Sequence, residues 1–301
     1  MATKIPQSIQ ERWQSLTPSD DFVFSKMMRN EVICKGLVET LLGFEIDRIE
    51  YPEEQKSIDI AMDAKSVRLD VYVKDGKDTV YNIEMQTSQQ SYLPKRSRYY
   101  QGMIDLNLIE KGELYDKLNT SYVIFICTFD PFGKGRHIYH FENRCIDDPE
   151  MALGDETHKC FFNTRGTDII DTNLDQVLTF LETALPGNDD NPLIEAMATE
   201  LKRIKSNNEW RTEFMNLYLR DKEKYQEGVN FGIKAERARA NRELQAEREA
   251  REEQLKRAKK EAIATARSFL GIASPEVIAS KFHITVEELM AVPPHDTTPK
   301  A

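Results

Sequence analysis

The chain has 301 residues, 40% of them hydrophobic and 31% charged, and carries a formal net charge of -10 at pH 7. This acidic balance excludes a protein that coats nucleic acid through general positive charge, so any contact with nucleic acid must be local. The chain has neither the apolar stretch of a signal peptide nor an apolar run of about 18 residues, and we expect a cytoplasmic protein without a membrane segment. The 4 cysteines show no C-x-x-C spacing, which argues against disulfides and structural zinc.

The N-terminal part predicts a polar leader followed by one or two amphipathic helices. Residues 18–21 (PSDD) offer capping oxygens just before the segment 22–43, in which apolar residues recur at roughly helical spacing. Gly43 stands where such a helix would end. We interpret Asp21 as an N-cap of the first helix. The alternative is that its carboxylate lies near a metal ion.

Two short segments joined by a turn predict a β-hairpin. Residues 67–73 alternate apolar and polar, residues 74–78 are rich in turn formers, and residues 79–86 return as a second strand. A first strand is expected before them, at residues 57–60.

The register of this hairpin decides whether two carboxylates share one face of the sheet. A two-residue turn would pair Asp70 with Tyr81 and leave the carboxylates of Asp70 and Glu84 on opposite faces. A loop of three or five residues, or a bulge, would pair Asp70 with Asn82 or Glu84 and bring both carboxylates to one face. We therefore predict an odd-numbered loop or a bulge.

The middle of the chain predicts one more helix, further strands and then mostly helix. The expected elements are a helix over residues 93–118, a buried strand over 121–129, strands at 137–141 and around 161–162, and helical segments from 174 to 232 with weak joints at Gly228 and Gly232.

The segment 234–261 consists almost entirely of Ala, Arg, Glu, Lys and Gln, which indicates a solvated helix. Its larger apolar residues, Ile233, Leu244 and Leu255, recur at eleven-residue steps, so a homo-oligomer formed weakly through this helix is a candidate assembly.

Residues 262–292 predict two short helices, each preceded by a Ser or Thr cap. The layout is similar to a helix-turn-helix, but the second helix carries Glu287 and Glu288 instead of basic residues. We interpret it as a packing or assembly hairpin, with a DNA-reading element as the alternative.

Asp70 and Glu84 are the candidate catalytic carboxylates. Two carboxylates that project from one sheet edge provide what a divalent, oxygen-preferring cation requires. Such a cation could position a water, lower its pKa and stabilise the charge that develops during phosphodiester hydrolysis. The alternative is that both residues face solvent on an ordinary hairpin.

The order of the elements resembles that of the PD-(D/E)XK nuclease superfamily. A helix is followed by a strand with Asp70, a hairpin turn, a strand with the Glu-x-Gln motif, a second helix and an apolar strand. More closely, the chain resembles the recombination-promoting nuclease and putative transposase family of bacteria. The matching segments are 21–26 (DFVFSK), 68–71 (RLDV), 82–86 (NIEMQ), 96–100 (RSRYY), 115–118 (YDKL), 123–126 (VIFI), 205–209 (KSNNE) and 227–232 (EGVNFG).

This resemblance implies an α/β fold with a restriction-endonuclease-like core, in which helices flank a central mixed sheet, followed by an all-helical C-terminal region with a long charged helix. The implied domains are a nuclease-like core over residues 1–165, a helical extension over 166–232 that packs on it, a charged helix over 233–262, and a small helical hairpin with a tail over 263–301.

The resemblance also assigns roles to individual residues. Asp70 and Glu84 would hold Mg²⁺ or another divalent cation such as Mn²⁺ or Ca²⁺, with Asp21 as an additional candidate ligand. Gln86 stands where many superfamily members place a lysine, and it would orient the attacking water by neutral hydrogen bonds. The candidate phosphate contacts on the following helix are Lys95, Arg96 and Arg98.

The function implied is that of a metal-dependent endonuclease that hydrolyses phosphodiester bonds of DNA. One alternative is a catalytically weak or inactive nuclease-fold protein that acts as an oligomeric binding module. Strand joining of the transposase kind is a third alternative, which no residue here separates from cleavage.

Overall fold

The structure is a computed structural model that describes residues 9–51, 57–58, 67–68, 70–109, 111–187 and 190–291. The chain divides into two compact units, one up to Tyr218 and one from Leu219 onward. No helix among the described residues combines the length and the apolar character needed to cross a membrane.

The first unit is built on a six-stranded mixed sheet. Its strands are β1 (Ile49–Glu50), β4 (Val71–Asp75), β5 (Val80–Gln86), β6 (Ser121–Cys127), β7 (Ile138–Phe141) and β8 (Thr157–Asn163), while β2 (Ser57–Ile58) and β3 (Val67–Arg68) pair separately. The order across the sheet is β1-β4-β5-β6-β8-β7; β5, β6 and β8 run parallel, and the other pairings are antiparallel. The predicted central mixed sheet is therefore confirmed.

Helices cover both faces of this sheet. They are α1 (Ile9–Ser15), α2 (Asp21–Met27), α3 (Glu31–Leu42), α4 (Leu93–Leu108), α5 (Thr172–Thr183), α6 (Pro192–Ser206) and the start of α7 (Asn208–Arg267). The larger apolar core joins one face of the sheet to α1, α2, α3, α5 and α6, and a second core joins the other face to α4. Because both faces are covered, the central strands are buried on both sides.

The N-terminal segment differs from the predicted polar leader. Residues from Ile9 onward form α1, and the indole of Trp13 is fully buried in the larger core. Ile9, Trp13 and Leu16 stand at i, i+4 and i+7, a short helical pattern in a mostly polar stretch that the sequence analysis overlooked.

The segment 22–43 forms two helices, as one of the predicted options stated. Asn30 caps the second helix by accepting from the Val32 amide, and Gly43 ends it with φ +73° in the left-handed region that favours glycine. The N-cap interpretation of Asp21 is wrong, because Asp20 takes the N-cap position and Asp21 is the first helical residue.

The hairpin β4–β5 has the register on which the predicted site depends. Val71 pairs with Ile83, and the two strands are joined by a three-residue loop over residues 76–78. Continuing this register by one residue places Asp70 opposite Glu84. The predicted odd-numbered loop is thus confirmed, and the backbone N–H of Asp70 lies 3.2 Å from Oε1 of Glu84.

Several predicted elements have different bounds in the structure. The strand predicted at 67–73 is interrupted, with Asp70 at a bend before β4, and the segment predicted at 57–60 forms only β2, its last two positions lying outside the described residues. The helix predicted to reach residue 118 ends at Leu108, after which Ile109 is extended and Gly112 has φ +99°. Such breaks depend on local backbone geometry that helical periodicity does not report.

The contact between α2 and the start of α7 is an ion pair between the buried Lys26 and the half-exposed Glu213. The ammonium of Lys26, whose side chain is 5% exposed, lies 2.8 Å from a carboxylate oxygen of Glu213. The rings of Phe22 and Trp210 lie 5.2 and 5.5 Å from the same ammonium. This cluster attaches the first two turns of α7 to the core of the first unit.

We expect Glu213→Ala to lower the free energy of unfolding by about 2 kcal/mol, because it leaves the Lys26 charge buried without its partner. Lys26→Met keeps most of the packing and removes that charge, so its cost should stay below about 1 kcal/mol. Urea denaturation of the full chain measures both values. A larger loss in Lys26→Met than in Glu213→Ala would contradict this account.

The second unit contains most of α7 and a small terminal hairpin. Helix α7 has 60 residues and passes through Gly228 and Gly232 without a break, so the predicted joints are wrong and the predicted boundaries at 232 and 262 both lie inside one helix. The long charged helix itself is confirmed, and its residues from 234 to 261 are exposed.

The terminal hairpin consists of α8 (Pro275–Phe282) and α9 (Val286–Met290), as predicted. Thr285 caps α9 in a capping box with Glu288. Ile278 and Leu289 are buried in a small apolar cluster with the end of α7.

Candidate active site

The candidate site lies on the face of the sheet that packs against α4. Glu84 and Gln86 are alternate residues of β5 and therefore point to this same face, as does Phe125, which pairs with Glu84 in the neighbouring strand. Arg96, in the first turn of α4, donates hydrogen bonds to both of them. Asp70 completes the group from the bend before β4.

Glu84 is a fully buried carboxylate that is held by three neighbours. Its Oε1 accepts from the backbone N–H of Asp70 at 3.2 Å, and its Oε2 accepts from Arg96 Nη2 at 2.8 Å. With its amide oriented so that both polar atoms are bonded, Asn82 also donates to Oε1, at 3.3 Å. Burial raises the pKa of Glu84, the charge of Asp70 raises it further, and Arg96 opposes this rise.

Arg96 connects the two strand residues to the helix. Its Nη1 donates to Gln86 Oε1 at 2.8 Å and its Nε donates to Tyr100 Oη at 2.7 Å. The guanidinium carbon lies 4.9 Å from the centroid of the Tyr100 ring and 5.5 Å from that of Phe125. The side chain is nevertheless 27% exposed, so the cation is fixed on its protein side and open to solvent on the other.

Both ends of the Gln86 amide have partners. The Oε1 atom accepts from Arg96, while Nε2 donates to the backbone carbonyl of Ser88 at 2.7 Å and to its Oγ at 3.2 Å. The side chain of Gln86 is buried. The orientation of the amide is therefore set by the chain itself.

The structure brings together only part of the predicted set. Arg96 alone of the three predicted cations reaches the carboxylates, since Lys95 and Arg98 are exposed on the outer side of α4. Burial, followed by the charge of Asp20, raises the pKa of Asp21, while the charge of Arg96 lowers it.

Sequence reasoning missed two supporting residues. Tyr100 carries an acceptor for Arg96, and its position four residues further along a helix is a spacing that could have revealed the contact. Ser88 fixes the Gln86 amide from an irregular segment, and no sequence pattern signals that role.

The side chains that could bind a divalent cation at this site are the carboxylates of Asp70 and Glu84. Among the described residues, no group of three or more His, Cys, Asp or Glu side chains is placed to hold a metal ion. A pair of carboxylates is still sufficient for Mg²⁺, which proteins bind through one or two carboxylates, waters and substrate phosphates. Asp70 adjoins Glu84, since its backbone N–H donates to Oε1 of Glu84 and its charge raises the pKa of Glu84. The oxygen chemistry of these two residues fits a divalent cation.

A comparison with protein families decides the relationship of this chain. The family model described as "PD-(D/E)XK nuclease family transposase" matches residues 18–225, which is more than two thirds of the chain and includes all the residues of the candidate site. The chain belongs to this family. The family expected from the motifs is thus confirmed, as is the PD-(D/E)XK fold class.

Membership of the PD-(D/E)XK nuclease family supports a nuclease-like function, and nucleases of this kind generally use divalent cations. The match ends at residue 225, so the rest of α7 and the terminal hairpin lie outside it. Searches of curated proteins and of solved structures gave no match.

Proposed function

We propose that this PD-(D/E)XK protein is a divalent-metal-dependent endonuclease. Its active site, formed around Asp70 and Glu84, would hydrolyse phosphodiester bonds of DNA. The observation that carries the proposal is the buried carboxylate of Glu84 in a nuclease-family fold. It lies next to Asp70 and binds the guanidinium of Arg96, which is partly exposed to solvent. Buried like charges at one sheet edge are unfavourable in folding and are typical of functional sites.

In this proposal Asp70 and Glu84 hold the cation, Mg²⁺ in the first place and Mn²⁺ or Ca²⁺ as alternatives. When bound, the cation would supply an activated water and stabilise the negative charge of phosphodiester hydrolysis. Asp21, close enough to be influenced by Arg96, is the candidate for a further carboxylate contact.

The substrate phosphates would meet the cations of α4. Arg96 offers its solvent side to the scissile phosphate, for which a planar guanidinium is well suited. Lys95 and Arg98 are exposed on the same helix and would contact neighbouring phosphates of the DNA backbone. Such a local group of cations lets a protein with a net charge of -10 bind DNA at one place only.

An oligomeric binding module is the second candidate function. It is favoured by the apolar side chains of Ile233, Leu244 and Leu255, which are 47%, 48% and 64% exposed on α7. Exposed apolar residues that recur along a long helix are typical of helix–helix association.

Incubation of the purified full chain with supercoiled plasmid tests the leading proposal. We expect nicking with Mg²⁺ or Mn²⁺ that EDTA stops, and a fall of about a thousandfold or more in Asp70→Ala, because one of the two ligands is lost. Asp116→Ala, which removes an exposed carboxylate from the 3-10 turn Tyr115–Lys117, is the matched control. Equal cleavage by wild type and Asp70→Ala would remove the proposed site, and a wild type without cleavage would favour the binding module.

A further inference from the structure

The family resemblance predicts that Gln86 orients the attacking water, but in the structure its amide binds other protein groups. Its Nε2 is engaged by Ser88 and its Oε1 by Arg96, and the residue is only 6% exposed. A side chain whose polar atoms are both bonded to the protein has a defined orientation and little freedom to adjust to a water.

We propose that Gln86 is a positioning residue, which holds the Arg96 guanidinium against a substrate phosphate and does not act on the attacking water. The inference rests on the proposed nuclease function and specifies how this site replaces the lysine that many superfamily members place at the position of Gln86. In this proposal Gln86 and Arg96 together replace that lysine. Arg96 on α4 provides the positive charge, and Gln86 on β5 holds its guanidinium in place.

The number of donors on Arg96 supports this assignment. A guanidinium has five N–H groups. In the described part of the chain, Glu84, Gln86 and Tyr100 each accept one hydrogen bond from it. Two N–H groups remain for a substrate oxygen while the supporting contacts stay in place, and the side chain is 27% exposed to receive it. Contacts to aromatic rings on the protein side further restrict its movement.

The chemistry of the amide explains why this position carries Gln. The carbonyl end accepts from a cation and the NH₂ end donates to Ser88, so a neutral residue satisfies both neighbours. A lysine at position 86 has no acceptor to offer Arg96 and would place a second positive charge beside it. The two cations would compete for Glu84, and the guanidinium would be displaced from the position that Gln86 defines.

The test measures DNA affinity apart from cleavage. A fluorescently labelled DNA duplex is titrated with the full chain in EDTA, using wild type, Gln86→Lys, Arg96→Ala and the double variant. Gln89→Lys is the matched control, because it adds the same charge three residues away at an exposed position. Urea denaturation establishes that each variant is folded.

We expect Gln86→Lys to weaken duplex affinity by about tenfold although it adds a positive charge, because Arg96 loses its support. Gln89→Lys should leave the affinity unchanged or tighten it, as added positive charge normally does. In the Arg96→Ala background, Gln86→Lys should no longer weaken binding, since no guanidinium remains to be displaced.

Two results would overturn the inference. One is a Gln86→Lys variant that binds the duplex as tightly as wild type or more tightly. The other is found in plasmid cleavage: if the losses in kcat for Gln86→Lys and Arg96→Ala multiply in the double variant, Gln86 acts independently of Arg96. A wild type that binds duplex but does not cleave would contradict the proposed function alone, because the affinities in EDTA still decide the role of Gln86. A wild type that binds no duplex would overturn both.

Discussion

Replacement of Glu84 by Gln should lower the rate of metal-dependent cleavage by about a thousandfold or more while the free energy of unfolding stays unchanged or rises by about 1 kcal/mol. The two effects have one cause. The carboxylate is buried opposite Asp70, so its charge is unfavourable in the folded protein but is the feature that a divalent cation would need. A Gln of the same shape removes the charge and keeps an acceptor for Arg96, while its NH₂ group replaces the oxygen that accepts from the Asp70 N–H, which limits the gain in stability.

Plasmid nicking and urea denaturation of the same preparations measure the two quantities. Glu200→Gln is the matched control, because Glu200 is also buried and also accepts from an arginine, Arg203, at 2.8 Å, yet lies on α6 outside the site. That control should retain the cleavage rate of wild type. A Glu84→Gln variant that cleaves normally, or one that loses several kcal/mol of stability, would show that Glu84 is a structural residue.

Replacement of Trp13 by Ala should lower the free energy of unfolding by about 3–5 kcal/mol, the cost of removing a large aromatic side chain from a core. The indole is fully buried, and its ring centroid lies 6.0 Å from that of Phe22 and 5.3 Å from that of Phe214. Its Nε1 donates to the backbone carbonyl of Lys205 at 3.0 Å. Trp13 therefore ties α1 to the end of α6 and the start of α7.

Urea denaturation followed by circular dichroism gives the loss in stability. Trp13→Phe keeps an aromatic ring but lacks the indole N–H, and it should cost about 1–2 kcal/mol, mostly through the unpaired Lys205 carbonyl. A loss below about 1 kcal/mol in Trp13→Ala would mean that α1 contributes little to folding of the first unit.

The sequence could predict the fold because its signals were local and repeated. The apolar run of β6, the helical spacing in α2 and α3 and the charged composition of α7 each indicate one type of element. The motifs around Asp70 and Glu84 then indicated the family, which the match over residues 18–225 confirmed. Two elements were missed or misplaced. The pattern of α1 is only two turns long, and the end of α4 depends on local backbone torsions at Ile109 and Gly112.

The sequence could predict which strand residues belong to the candidate site, but not which helix residues reach them. The odd-numbered turn after β4 pairs Val71 with Ile83, and so brings Asp70, the residue before Val71, next to Glu84. The spacing of Lys95, Arg96 and Arg98 could not show which of them reaches the carboxylates. That choice depends on the rotation of α4 about its axis relative to the sheet, which is fixed by packing of Leu93, Tyr100 and their neighbours.

The sequence by itself therefore indicated the family, most of the succession of elements and the two candidate carboxylates, Asp70 and Glu84, since each of these follows from patterns along the chain. Only the tertiary structure decided that Arg96 binds Glu84 and Gln86, and that Ser88 orients the Gln86 amide. Hydrogen bonds between a helix and a strand depend on distances of a few tenths of an ångström and on donor directions. Those quantities arise from the packing of the whole core and leave no periodic trace in the order of the residues.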